Sequence, residues 1–343
     1  MRVSPTTYTP RNPPNLELPI LNLRNVRVGV NAEQQLVEAV YGVTLAVRLG
    51  ETVGVVGESG SGKTLTCLAA ARLLPSGTRL LGGEILFEGL DVYEYGRHDL
   101  RSWHGKGVGF VFQDPSTALD PLFTIGSQIR ETLRAHGASR AASRASALHL
   151  LEEVGLSESR KVAESFPHQL SGGMKQRAAI AMALAPNPKL LIADEPTTAL
   201  DATSQASVLQ MLDRVRQERG LSVVLVTHDV AAAISHVDRL VVMYNGRVIE
   251  EGTPVQVLQA PGHPYTEALL RCAGLANDEF VQRMVSIPGA MPPLGEDYEQ
   301  CMFAARCPYV DPLCLAGRPP PEETRTGWAV CRKTARKRDR SWH

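Results

Sequence analysis

Residues 52–75, TVGVVGESGSGKTLTCLAAARLLP, require an apolar strand to deliver its carboxyl end to a helix across one short Gly-rich turn. TVGVVG is a β-branched, uninterrupted apolar run, which reads as a buried strand. KTLTCLAAARLL has helical character and is expected to end at Pro75 and Gly77. The turn comprises Gly57, Glu58, Ser59, Gly60, Ser61, Gly62, Lys63 and Thr64 and fits G-x-x-x-x-G-K-[ST]. In that pattern, glycines let successive backbone N–H groups curl around phosphates, and the helix N-terminus adds positive potential. Lys63 is placed to neutralise β- and γ-phosphates, and Thr64 to ligate Mg²⁺. The expected ligand is a nucleoside triphosphate.

Charge excludes one class of partner. The 36 Lys and Arg balance 36 Asp and Glu, so the chain lacks the general basic field expected of a nucleic-acid binder. There is no apolar run of 18 residues and no signal-peptide-like apolar segment near the N-terminus, so a soluble, cytoplasmic protein is expected.

Residues 1–15 contain Pro5, Pro10, Pro13 and Pro14 and read as a flexible leader. From about residue 16, short β-like runs (VRVGV, VTLAV, TVGVVG, GEILFEG, GVGFVF) surround the phosphate-site helix. Residues 113–185 change to helical spacing, with Gly155 as a C-cap, and read as a helical insert. Strand character returns in KLLIAD, SVVLVTH and RLVVMYNGRVIEEG, with a helix carrying Val208, Leu212 and Val215 between them and a hairpin at Asn245-Gly246. Beyond Pro261 the chain is rich in Pro and Cys and ends in a basic run from Arg332 to Arg340, which reads as a solvated tail.

LLIADEP ends an apolar strand in Asp194-Glu195, placing two carboxylates at the carboxyl edge of a sheet, where α/β folds bind ligands. Asp194 is suited to hold Mg²⁺ through its water shell, and Glu195 to orient or deprotonate the attacking water. Gln113 after GVGFVF, LSGGMKQR from Leu170 to Arg177, and His228 after SVVLVT complete an ordered set. With these the chain resembles the ATP-binding cassette (ABC) ATPases of transporters over about residues 20–260. The resemblance implies an α/β fold: a P-loop ATPase cassette core over 16–260, with its helical subdomain at about 113–185, and a small Cys-rich C-terminal extension over 261–343. It also implies that Ser171, Gly172 and Gly173 contact the γ-phosphate of ATP bound to a second ATPase subunit, and that Ala199 to Asp201 crosses that dimer interface. Gln113 then senses Mg²⁺ and water and couples the site to membrane subunits through QDPSTALDP, and His228 contacts the γ-phosphate. The family places an adenine-stacking aromatic where this chain has Val30, a departure that points to weaker nucleotide binding; Tyr41, inside AVYGVTLAV, reads as packing.

FPHQLSGGMKQRAAIAMALAPNPKLLIADEPTTALD, GHPYTEALL and the Cys-bearing tail are similar to oligopeptide or dipeptide permease ATPases, a group that also serves nickel and glutathione import. The implied role is an ATPase at the cytoplasmic face of the membrane. Its implied partners are two permease subunits, a second cassette (a related chain or a copy) and, through the complex, an extracytoplasmic peptide-binding protein, with no nucleic acid. A non-transport mechanical ATPase is the alternative of a different class. Pro264 reads as the first residue of the helix YTEALLRC. Cys301, Cys307, Cys314 and Cys331 are the number of thiolates a [4Fe-4S] cluster needs, with structural Zn²⁺ as the runner-up and unliganded thiols as the third reading. Such a cluster is expected to staple a segment with little core of its own; loss of any one of the four cysteines is expected to loosen the tail while the ATP site, built far upstream, still binds nucleotide. Cys67 and Cys272 read as packing residues.

Overall fold

Five strands whose residues are almost all buried form the parallel centre of the molecule, in the order Arg239–Tyr244, Thr52–Val56, Ser222–Thr227, Leu190–Asp194 and Val108–Val111. Their runs are apolar without alternation because helices cover both faces. The structure, a computed structural model, describes residues 18–32, 35–198, 200–275, 286–295, 299–324 and 327–332. The leader, Ala199 and the basic run beyond Arg332 lie outside the described residues.

Because these strands run in one direction, their carboxyl ends share one edge. Val56 leads into the phosphate loop, Asp194 into Glu195, Thr227 into His228, and Val111 through Phe112 into Gln113. The topology thus gathers residues scattered over some 170 positions.

The central sheet continues antiparallel. Asn245 and Gly246 both take positive φ (43° and 73°), the twist that suits a two-residue hairpin, and Arg247–Gly252 folds back on Arg239–Tyr244. A four-stranded antiparallel sheet (Gln35–Val47, Leu21–Ala32, Thr78–Phe87, Leu90–Asp91) packs beside it. Arg239 joins the two: its guanidinium donates to the Ala46 carbonyl and pairs with Glu51 (2.8 Å) and Glu251 (2.6 Å). Burial of a cation is tolerable here because each of its neighbours is an acceptor.

The helical insert packs into a core that continues onto Leu191, Ala193, Val223 and Leu225 of the central sheet. Ile125, Ile129 and Leu133, one face of Ile125–Ala135, pack with Leu150 and Leu151 of Arg140–Glu153 and Ile180 and Leu184 of Gly172–Leu184. Full burial of each such side chain contributes about 1.5–3 kcal/mol.

Two expectations are corrected. The phosphate-site helix spans only Lys63–Ala70, because Arg72 turns to φ 52° and its guanidinium donates to the carbonyls of Val92 and Tyr95 at 2.8 and 2.9 Å. Tertiary bonds, not Pro75, end it. Cys272, expected to pack, is exposed.

The C-terminal extension shares the cassette's core. Trp328–Ala329 adds a strand to Arg247–Gly252, followed by Glu322–Glu323. Tyr244, Tyr265 and Phe303 are buried against one another with ring centroids 4.6 to 5.5 Å apart. Pro264–Cys272 is a helix with Pro264 in its first turn, and His263 caps it by accepting from the Tyr265 N–H at 3.0 Å. The buried Glu250 carboxylate in turn accepts from the N–H groups of Gly262 (2.6 Å) and His263 (2.8 Å).

His263 makes the extension acid-sensitive. Burial lowers its pKa from 6.5 to about 3, so the folded chain holds it neutral where the unfolded chain begins to protonate it. Its contribution is whole above about pH 6.5 and is lost as pH falls toward 3, at up to ~1.4 kcal/mol per unit. Thermal melts of the full chain at about pH 7.5 and pH 5 should show the loss, and His263→Asn, which keeps a capping acceptor, should flatten it. An equal pH dependence in the variant would place the titration elsewhere.

Candidate active site

Gly57 leaves its strand at φ 153°, and a Cβ there would lie 2.2 Å from the Met243 carbonyl oxygen, so only glycine lets the phosphate loop start against the neighbouring strand. Gly62 (φ 95°) then caps the helix that begins at Lys63, and the Gly246 N–H donates to the Ser61 carbonyl at 2.9 Å. Lys63, 4% exposed, folds back over the loop and donates to the carbonyls of Gly57 (2.8 Å) and Glu58 (2.9 Å). Its ammonium is thus already centred in the ring of backbone that follows the strand. Burial lowers its pKa, and the carboxylates of Glu195, Asp194 and Glu58 oppose that shift.

Across the edge, Thr64 Oγ1 donates to Asp194 Oδ1 at 3.1 Å. Burial raises the Asp194 pKa to about 6, partly offset by the Thr64 bond and Lys63. Hydroxyl, carboxylate and the nearby Gln113 amide are all oxygen donors, the set a magnesium ion accepts when nucleotide phosphates supply its remaining ligands. Glu195 follows at φ 47°, a left-handed conformation that costs a non-glycine residue about 1–3 kcal/mol and turns its side chain across the edge. There its Oε2 accepts from Gln113 Nε2 (3.0 Å) and Thr198 Oγ1 (2.7 Å) and lies 3.2 Å from His228 Nδ1. The structure therefore brings together Gly57 to Thr64, Asp194, Glu195, Gln113 and His228. Thr198 was not expected; its only sequence signal was its place three residues after Glu195.

Ser171, Gly172, Gly173 and Asp201 form a second group. Ser171 caps the helix Gly172–Leu184 by accepting from the Met174 N–H at 3.4 Å. Asp201 caps Ala202–Arg219 through the Ser204 N–H (3.0 Å), and these bonds lower its pKa. A Cβ added at Gly172 or Gly173 would meet only Leu200 at 3.6 Å or Ser204 at 3.7 Å, and Ser171 and Gly172 are exposed. Two helix N-termini thus open together onto solvent.

Val30 lies in the strand Leu21–Ala32, opposite Val37, and is half-buried. Tyr41 packs as expected: it is 3% exposed, with the Arg247 guanidinium 4.9 Å from its ring centroid.

The C-terminal extension reaches the phosphate loop directly. Arg306, between Cys301 and Cys307, donates both terminal nitrogens to the Glu58 carboxylate of the phosphate loop at 2.9 and 3.0 Å. The Glu58 N–H donates to the Tyr265 hydroxyl at 2.8 Å. Neither residue could be assigned to the site from sequence, because no local pattern links positions 248 residues apart.

No disulfide joins any of the six cysteines. The Cys301 thiol is raised to about 11 by burial and by the thiols of Cys314, Cys331 and Cys307 beside it. The Cys301 N–H donates to the Cys314 carbonyl at 3.0 Å. Among the described residues, no group of three or more His, Cys, Asp or Glu is gathered to hold a metal ion.

Comparison with known proteins matches two separate stretches of the chain. Residues 40–198 match the ABC transporter family, and residues 249–314 match the family described as oligopeptide/dipeptide transporter, C-terminal region. A probable peptide ABC transporter ATP-binding protein of Sinorhizobium fredii is 39% identical over 313 residues, 91% of this chain and 93% of that one. The dipeptide transport ATP-binding protein DppD of Escherichia coli is 40% identical over 304 residues, 88% of this chain and 92% of its own. Among solved structures, a dimeric bacterial ABC transporter cassette superposes with a TM-score of 0.62 at 32% identity, covering 68% of this chain and 98% of that one. A cassette dimer in a post-hydrolysis state with ADP and Pi covers the same shares, at TM-score 0.61 and 31% identity. With the phosphate loop, the Asp194-Glu195 pair, Gln113 and His228 on one sheet edge, this chain belongs to the ABC transporter family of ATP-hydrolysing subunits, in the group that carries the oligopeptide/dipeptide C-terminal region.

Proposed function

We propose that this chain hydrolyses ATP to energise import of dipeptides or oligopeptides, working at the cytoplasmic face of the membrane. The observation that carries the reading is one ATPase edge built into the same core as an oligopeptide/dipeptide-type extension. Lys63 neutralises the β- and γ-phosphates. Thr64, Gln113 and, through water, Asp194 would hold Mg²⁺, which would spread the charge developing on the phosphates. Glu195 orients and deprotonates the attacking water, and His228, 3.2 Å from it, contacts the γ-phosphate. Ser171, Gly172, Gly173 and Asp201 face a second cassette, where the two helix N-termini meet the partner's γ-phosphate. Closing and reopening of the pair drives two permease subunits. Exposed Phe112 directly precedes Gln113, and exposed Leu122 and Phe123 follow in the segment after it, apolar side chains suited to meeting those subunits. An extracytoplasmic peptide-binding protein supplies the cargo.

No helix among the described residues is long and apolar enough to cross a membrane, which suits a peripheral subunit carried by separate permeases. We assign Cys301, Cys307, Cys314 and Cys331 to a [4Fe-4S] cluster, with Zn²⁺ as the other candidate. Support comes from the donor chemistry of four thiols between residues 301 and 331, which the described residues do not gather into a ready metal site. Bound there, the cluster would staple the tail.

The test is to isolate the native complex anaerobically, identify its membrane subunits, and measure which cargoes stimulate its ATPase. Stimulation by peptides is expected. Stimulation by nickel or glutathione alone would move the cargo, and co-purifying ribosomes or DNA would overturn transport. Iron and sulfide in the same preparation are expected, whereas one equivalent of zinc in an iron-free protein would decide for zinc.

A further inference from the structure

We propose that Arg306 and Tyr265 of the C-terminal extension are positioning residues for the phosphate loop, so that nucleotide affinity at this site is set in part by the extension. The inference rests on the ATP site alone and not on the identity of the cargo.

The extension holds the loop at one residue from two directions. Arg306 grips the Glu58 side chain with a two-pronged ion pair, and Tyr265 accepts the Glu58 backbone N–H. Such a fork fixes direction as well as distance. Both holders are themselves fixed. The Arg306 side chain is only 4% exposed; its Nε donates to the Pro288 carbonyl at 2.9 Å and its Nη2 to the Ile287 carbonyl at 3.2 Å. Its charge sits 5.8 and 5.9 Å from the Tyr244 and Phe303 ring centroids. Tyr265 is fully buried against those same two rings. Farther along the extension, the Gly295 N–H donates to the Tyr41 hydroxyl at 3.2 Å. Tyr41 in turn packs on Gly246, whose N–H holds the Ser61 carbonyl of the loop. The extension thus holds the loop directly at its second residue and bears on its fifth only through Tyr41 and Gly246, while supplying no residue to the phosphate pattern itself.

Glu58 explains why this bracing bears on nucleotide. Its carbonyl is one of two that Lys63 bonds, and its own negative charge lies in the loop that must accept a polyphosphate. Arg306 cancels that charge and pins the turn that carries the carbonyl. Without it, the loop keeps an uncompensated carboxylate beside the phosphates and a turn free to swing.

The test uses the full chain, titrated with ATP and with ADP by calorimetry, and compares Arg306→Gln, Tyr265→Phe, Glu58→Gln and the double variant Arg306→Gln/Glu58→Gln. Arg306→Gln is expected to weaken both nucleotides about tenfold, the usual loss for one charge-assisted fork, because the loop holds the β-phosphate they share. Tyr265→Phe keeps the ring packing, removes the hydroxyl, and should weaken them about threefold. The double variant should be no worse than Arg306→Gln alone, since Arg306 acts through Glu58. If Arg306→Gln does not fold, Tyr265→Phe and Glu58→Gln carry the measurement. Unchanged affinity in every folded variant, or losses from Arg306 and Glu58 that simply add, would overturn the proposal and leave the contact as a brace for the extension only.

Discussion

Glu195→Gln is expected to slow ATP turnover by about 10²–10⁴-fold, the usual contribution of a positioned general base, while ATP still binds. The amide is nearly isosteric, and its oxygen can still accept from Gln113 Nε2 and Thr198 Oγ1, which now bond Glu195 Oε2 at 3.0 and 2.7 Å. The side chain should therefore stay where the left-handed backbone at φ 47° points it. What is lost is basicity and the charge 3.2 Å from His228 Nδ1. Because binding survives and chemistry does not, the variant should accumulate in an ATP-bound, paired state. Single-turnover hydrolysis and gel filtration with ATP give both readouts. Near-normal hydrolysis by the purified complex would put the base elsewhere or the activity in the partner's site.

Lys63→Ala is expected to weaken ATP at this site by at least about 10²-fold, the scale seen when one partner of a buried charged contact is truncated. Two losses coincide. The β- and γ-phosphates lose their nearest fixed cation, and the carbonyls of Gly57 and Glu58 lose the ammonium that bonds them at 2.8 and 2.9 Å. A buried cation is also what keeps Asp194 and Glu195 from repelling a polyphosphate, since both carboxylates interact with Lys63. Titration with ATP and ADP should show both affinities falling and the Tm scarcely moving. Full-strength binding would mean that the backbone N–H groups and Mg²⁺ alone retain the nucleotide.

These expectations draw on residues that differ in how visible they were in advance. The phosphate loop's pattern was legible because Lys63 bonds carbonyls only five and six residues away, whereas the Met243 carbonyl that demands glycine at Gly57 came only with the fold. The Asn245-Gly246 hairpin and the buried face Val208, Leu212 and Val215 were legible for the same reason, since turn dihedrals and helical period are written in adjacent residues. The gathering of Asp194, Glu195, Gln113 and His228 was anticipated from ordered motifs, and the parallel strand order accounts for it physically. The end of the phosphate-site helix was misplaced, because Arg72 answers to carbonyls at positions 92 and 95 and not to Pro75.

The sequence alone determined the strand-turn-helix that holds phosphate, the carboxylate pair after a buried strand, and the helical insert with its own apolar face. Each is a short-range consequence of side-chain volume, backbone freedom and hydrogen-bonding capacity within a few residues. Only the tertiary structure decided that Trp328–Ala329 would extend the cassette's sheet, that Phe303 and Tyr265 would enter its core, and that Arg306 would close on Glu58. Those outcomes depend on which surfaces the packed sheet leaves open and where a buried guanidinium can find a carboxylate, and neither is encoded in the spacing of neighbouring residues.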